Sequence, residues 1–97
     1  MWTDVDRMRV ARRYVISGRV QGVGFRFFTE ESAAREGIHG WVRNAPDGSV
    51  EIEAEGETEA LERFEHRIRH GPRGARVDRV DVTEGVVSQR TSGFSIR

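Results

Sequence analysis

Residues 38–55 read IHGWVRNAPDGSVEIEAE, and this stretch decides the fold. Its second half alternates Glu51, Glu53 and Glu55 with apolar residues, the pattern of a strand with one buried face and one acidic, solvent-exposed face. The Pro-Asp-Gly before it favours a turn, because Pro presets φ and Asp-Gly tolerates positive φ. Residues 38–43 then form the partner strand, and the two strands make an antiparallel hairpin.

Upstream of this hairpin the sequence predicts a strand, a loop and a helix. Residues 14–17, YVIS, are aromatic and β-branched, which favours a strand. Three glycines within residues 18–24, GRVQGVG, mark a tight loop. A helix follows from about Phe25 to Arg35, and we expect the face that carries Phe27 and Ala34 to pack against the sheet.

Downstream of the hairpin we expect a second helix, from about Glu57 to His70, with Thr58 or a neighbour as its cap. Its apolar residues recur at helical spacing, at Leu61, Phe64 and Ile68. Residues 80–82 mark a fourth strand and residues 94–96 a short fifth. The order βαββαβ plus a terminal strand predicts an α+β, ferredoxin-like fold, with two helices packed on one face of an antiparallel sheet.

Length and composition limit the class of protein. The 97 residues suit one domain, which we place at 10–97, with residues 1–9 as a tail or the lead-in to a strand. There is no Cys, so disulfides and thiolate chemistry are excluded, and there is no Lys, so Schiff-base chemistry is excluded. A net charge of +0 argues against nucleic acid and anionic membranes as partners. No secretory signal or membrane span is evident, so we expect a cytoplasmic protein.

The glycine-rich loop predicts an anion site. Its glycines let successive N–H groups curl into one concavity, and the helix that follows adds unpaired amides and the positive end of its dipole. Arg26 lies in the first helical turn, where its positive charge opposes the helix dipole and slightly destabilises the helix. A bound oxyanion would reverse that effect, because a guanidinium pairs well with phosphate oxygens. An ordinary tight turn followed by a surface arginine is the alternative, because short glycine motifs are weak signals.

Two kinds of polar residue outside the loop need an interpretation. Asn44 ends the second strand, where it either serves the turn or uses its amide to hold a water in line for attack. His66 and His70 are four residues apart on one helix, a spacing that zinc sites use. Arginines flank them and no third ligand is evident, so we predict a solvated helix face and no metal site. For Trp41 we expect a packed sheet residue.

Two stretches resemble the acylphosphatase family: GRVQGVGFR at residues 18–26, and GWVRN at 40–44 followed by PDGSVE at 46–51. The closing FSIR at 94–97 fits as well. The resemblance implies an enzyme that hydrolyses acyl phosphates to carboxylate and inorganic phosphate, with phosphate as product and inhibitor. It implies no metal or organic cofactor. We further expect a monomer, with no nucleic acid or membrane as partner.

The resemblance also implies roles for individual residues. Arg26 and Asn44 are the catalytic pair, and Asn44 positions the attacking water. The phosphate lies in a loop of backbone amides together with the Arg26 side chain, a loop made of Gln21, Gly22, Val23, Gly24, Phe25 and Arg26.

Two other functions fit the same order of elements. One is a non-catalytic, anion-binding or regulatory module, of the kind that resembles acylphosphatases within larger maturation proteins. The other is an RNA-binding module, which needs aromatic residues on its central strands and usually a basic surface. The acidic third strand and the zero net charge disfavour RNA.

Overall fold

A computed structural model describes residues 8–88 and 92–97 of the chain. Its elements follow in the predicted order, and their bounds are β1 (Arg9–Arg19), α1 (Phe25–Glu36), β2 (His39–Asn44), β3 (Val50–Glu57), α2 (Thr58–His70), β4 (Arg76–Glu84) and β5 (Phe94–Ile96). β1 therefore starts within the predicted lead-in, at Arg9, while residues 1–7 lie outside the described part of the chain.

The strands form one sheet in the order β4-β1-β3-β2-β5. The first four strands pair antiparallel, as predicted. The terminal strand β5 pairs parallel with β2, so the whole sheet is mixed. The ferredoxin-like fold is confirmed, and the parallel pairing puts the ends of β2 and β5 side by side.

Both helices pack on one face of this sheet, α1 near β2 and β5, and α2 near β3 and β4. The predicted stripe of α2 is fully buried against it, at Leu61, Phe64 and Ile68. Each such side chain contributes about 1.5–3 kcal/mol by leaving water. The residue that caps α2 is Glu57, which makes no side-chain cap bond, and Thr58 is the first residue of the helix. The hydroxyl of Thr58 donates instead to the Met8 carbonyl, at 3.1 Å.

The predicted packing face of α1 is wrong. Phe27 is 68% exposed and Ala34 is exposed as well. The buried face consists of Phe25, Thr29, Ser32 and Ala33. Two of these residues are polar, but their hydroxyls donate to carbonyls one turn earlier, at 2.9 Å for Thr29 and 2.8 Å for Ser32. Because these hydroxyls are satisfied within the helix, they enter the core at little cost.

Only part of the acidic face of β3 is exposed to solvent. Glu51 and Glu53 lie on the open face of the sheet, the face away from the helices, as predicted. Glu55 is 5% exposed, because the segment after β4 returns across this end of the sheet. Its carboxylate accepts hydrogen bonds from Arg9 Nε at 2.6 Å and from the Ser88 N–H at 2.7 Å. A buried carboxylate requires partners of this kind.

Candidate active site

The loop between β1 and α1 is held by its apolar side chains. Val20 and Phe25 are 1% and 2% exposed, and Val23 packs against the core between them. With these side chains directed inward, the backbone of the loop remains at the surface. The loop is therefore a rigid piece of backbone rather than a mobile connection.

The backbone of this loop is suited to an anion. Gly22 and Gly24 adopt left-handed φ angles of 77° and 76°, which curl successive amides towards one side. Among the described residues, no N–H group from 21 to 27 donates a backbone hydrogen bond, and the first helical bond runs from Phe28 to the Gly24 carbonyl at 3.0 Å. α1 also has no side-chain cap and no acidic residue in its first turn. Unpaired amides and an uncapped helix dipole both favour a bound anion.

Arg26 adds a full positive charge beside these amides. Its Nη1 donates to the main-chain oxygen of Arg97 at 3.3 Å. Within residues 8–88 and 92–97 the guanidinium makes no ion pair with a carboxylate. Most of its donors therefore remain available to phosphate oxygens, whose geometry matches the guanidinium fork.

Asn44 stands at the end of β2, opposite Val50 on β3. The turn beyond it is held by its own bonds: the Ala45 N–H donates to the Ser49 carbonyl at 2.8 Å, and the Ser49 hydroxyl donates to Asp47 Oδ1 at 2.6 Å. That hydroxyl, followed by the Ser49 N–H, holds the pKa of the Asp47 carboxyl below its ordinary value. Asn44 is therefore presented at a rigid strand end.

Gln21 joins the loop to this turn. Its Nε2 donates to the carbonyls of Ala45 at 2.8 Å and of Ser49 at 3.0 Å. The side-chain amide nitrogen of Gln21 is thus occupied, whereas its backbone N–H has no backbone partner among the described residues. On the other side of Asn44, the Arg97 N–H donates to the Val42 carbonyl at 2.8 Å. The two predicted site segments therefore meet at one end of the β2–β5 edge.

Comparison with known proteins identifies the family. The family model for acylphosphatase matches residues 12–96. The chain belongs to the acylphosphatase family. An acylphosphatase of Salinibacter ruber is 52% identical over 89 residues, which cover 92% of each chain. The crystal structure of acylphosphatase from Bacillus subtilis superposes with a TM-score of 0.87 at 40% identity, covering 93% of this chain and 99% of that one.

A second kind of relative is much longer. The crystal structure of full-length HypF in the phosphate- and nucleotide-bound form matches with a TM-score of 0.85 at 34% identity. The match covers 94% of this chain but only 12% of that chain. Because the curated relatives that share most of their length with this chain are acylphosphatases, the chain is an enzyme of that family, and hydrolysis of acyl phosphates is its activity.

The two histidines considered as metal ligands lie away from this edge. His66 and His70 are exposed on α2, with their ring centroids 6.1 Å apart. The described residues hold no cluster of three or more His, Cys, Asp or Glu side chains placed to bind a metal ion. No helix in the described part of the chain has the length and apolar character to cross a membrane. Trp41 lies on the open face, between two arginines rather than within the core.

The two hydrogen bonds that Gln21 donates to the turn after Asn44 predict a measurable effect. We expect Gln21→Ala to lower kcat/KM for an acyl phosphate about tenfold, because the loop is then no longer hydrogen-bonded to the turn that follows Asn44. Stability should fall by about 1 kcal/mol, since the carbonyls of Ala45 and Ser49 each lose one donor and keep a backbone donor. Gln21→Glu should be more harmful, because an ionised carboxylate faces the same two carbonyls and cannot donate. Unchanged kcat/KM in a destabilised Gln21→Ala protein would show that these hydrogen bonds serve the fold alone.

Proposed function

We propose that this chain hydrolyses acyl phosphates by direct attack of a water that Asn44 positions on a phosphate held by the loop from Gln21 to Arg26. The observation that carries the proposal is the pair of Gln21 hydrogen bonds, at 2.8 and 3.0 Å, which ties the loop to the strand end that presents Asn44. An anion site and a water-positioning amide are thereby held in one rigid unit.

The phosphate is bound by backbone and by Arg26. Amides of Gly22, Val23, Gly24 and Phe25 have no backbone hydrogen-bond partner among the described residues, so they donate to the phosphate oxygens without first breaking another bond. Arg26 approaches the same oxygens with a planar pair of donors. In phosphoryl transfer the equatorial oxygens carry charge in the transition state, so these donors stabilise that state as well as the bound substrate.

Asn44 supplies the position of the nucleophile. Its amide accepts from the water with its oxygen and donates to it with its nitrogen, which orients a lone pair towards phosphorus. The water oxygen bonds to phosphorus as the bond from phosphorus to the acyl oxygen breaks, and the electron pair leaves with the carboxylate. One water proton stays on the oxygen that has bonded to phosphorus, and the other passes to a second phosphate oxygen or to solvent. Because a carboxylate is a good leaving group, no strong general acid is required.

The proposal includes action as a monomer, in the cytoplasm, without a metal or an organic cofactor. The site supports the last point, because neutralisation of the phosphate is already provided by amides and a guanidinium. A divalent cation would compete with Arg26 for the same oxygens rather than add a missing charge.

The test is hydrolysis of benzoyl phosphate by the purified protein. We expect turnover that is unchanged by a chelator and is inhibited by inorganic phosphate competitively with substrate, because phosphate occupies the same loop. Initial rates at several phosphate concentrations give the mode of inhibition. Activity that is lost with chelator and restored by a divalent ion would refute the site as assigned.

A further inference from the structure

β5 is a short strand at the edge of the sheet. It spans three residues, Phe94–Ile96, and as the last strand of the sheet it pairs with β2. Beyond its far end the Arg97 N–H donates to the Val42 carbonyl at 2.8 Å. The main-chain oxygen of Arg97 accepts from Arg26 at 3.3 Å. The attachment of β5 to β2 therefore also places the main chain that contacts Arg26.

The start of β5 is held in part by a histidine. The Gly93 N–H donates to Nδ1 of His39 at 2.7 Å, and the Gly93 carbonyl accepts from the Gly40 N–H at 3.0 Å. Gly93 has a φ of 76°, in the left-handed region that glycine enters without strain. His39 is the first residue of β2 and is half-buried. One of these two hydrogen bonds thus depends on a side chain that can gain a proton.

The hydrogen bond from Gly93 requires the neutral form of His39. A neutral imidazole has one N–H group and one bare nitrogen, and only the bare nitrogen accepts a hydrogen bond. Because Nδ1 accepts from Gly93, the proton of the neutral ring is on Nε2. A second proton would bind to Nδ1, and two N–H groups would then face each other across 2.7 Å. The charged ring and this hydrogen bond therefore exclude each other.

Charged side chains of both signs surround His39. Among the described residues, those that line a cavity together with the ring are Glu53 and Glu55 of β3, Arg12 of β1, Arg97, and Glu30 and Glu31 of α1. Within residues 8–88 and 92–97 no ion pair joins His39 to a carboxylate. The hydrogen bond with Gly93 is therefore the specific contact that depends on the charge of the ring.

We propose that His39 makes the attachment of β5 to β2 dependent on pH. In its neutral form the ring accepts from Gly93 and holds the start of β5. As the pH falls through the range in which histidine gains a proton, about pH 8 to pH 5, the acceptor becomes a donor and the hydrogen bond is lost. The bond thus stabilises this edge of the sheet above that range and not below it. This inference does not depend on the proposed reaction.

The test is an NMR titration of the ¹⁵N-labelled protein from about pH 8 to about pH 5, the range in which histidine changes charge. We expect the Gly93 amide proton to move upfield as the His39 ring gains its proton, with one midpoint for both signals, because the amide loses its acceptor. Amide exchange gives the size of the effect. After correction for the intrinsic exchange rate, protection of the β5 amides should fall about fivefold, the loss of one hydrogen bond of typical strength.

Variants then assign the effect to the acceptor on His39. His39→Asn puts a carbonyl oxygen close to the position of Nδ1, and this oxygen accepts a hydrogen bond without gaining a proton in the same range. Its Gly93 signal should not titrate, and its β5 protection should not depend on pH. His39→Ala has no acceptor, so its protection should stay at the level of the acid form throughout. The matched control is His66→Asn, which removes an exposed histidine on α2 and should titrate like the unmodified protein.

Two results would overturn the proposal. A Gly93 amide that does not follow the titration of the His39 ring would show that this hydrogen bond does not hold β5 in solution. A titration of Gly93 that persists in His39→Asn would show that another group is its source. The first result comes from the unmodified protein, so the test does not depend on the folding of any variant.

Discussion

Replacing Arg26 with alanine is expected to lower kcat/KM for benzoyl phosphate by about 10³-fold or more, the scale of losing an arginine that stabilises phosphoryl-transfer charge. The affinity for inorganic phosphate should fall at the same time, because the guanidinium contacts phosphate in the ground state as well as in the transition state. Steady-state kinetics and the inhibition constant of phosphate measure the two effects.

The fold should survive this change. Within the described residues Arg26 makes one hydrogen bond, to the Arg97 main chain at 3.3 Å, and it is exposed. An arginine in the first turn also opposes the dipole of α1. Arg26→Lys should recover only part of the rate, since a lysine keeps the charge and loses the planar fork. Arg19→Ala is the matched control, because Arg19 is an exposed arginine at the start of the same loop. Kinetics like those of the unmodified protein in folded Arg26→Ala would refute the role of Arg26.

Asn44→Ala should lower kcat by about 10²–10³, the usual loss for one preorganised polar group. Inhibition by phosphate should change little, because the loop amides and Arg26 stay in place. The hydrogen bonds that hold the turn run through Ala45, Asp47, Ser49 and Gln21, not through the Asn44 side chain. Thermal unfolding should therefore be nearly unchanged, and it is measured beside the kinetics.

Asn44→Asp provides a second comparison. A carboxylate has the same size but cannot donate, and it repels the phosphate, so kcat should fall at least as far as in the alanine variant. If folded Asn44→Ala keeps its kcat and no longer binds phosphate, Asn44 is a phosphate ligand and the division of roles between Asn44 and Arg26 is wrong.

Several features were predictable from the sequence because they depend on local periodicity. The alternation at residues 50–55 and the spacing of Leu61, Phe64 and Ile68 each repeat with the period of their own element, so the buried face follows from geometry alone. The prediction failed for α1, where the buried face includes Thr29 and Ser32. A hydropathy pattern counts Thr and Ser as polar, although their hydroxyls can donate to a carbonyl of the preceding helical turn and so be buried at little cost.

The sequence by itself determined the order of elements and placed a glycine loop before a helix and Asn44 at a strand end, because these are local features. The catalytic roles proposed for Arg26 and Asn44 come from the resemblance to the acylphosphatase family. The tertiary structure decided how the loop and the strand end meet. Gln21 reaches across 24 residues to the turn beyond Asn44, and Arg26 reaches across 71 residues to Arg97. The burial of Glu55 and the position of the Arg97 guanidinium over the Trp41 ring likewise depend on segments far apart in the chain. No local pattern encodes such contacts, because they arise only when the sheet pairs strands that are far apart in the chain.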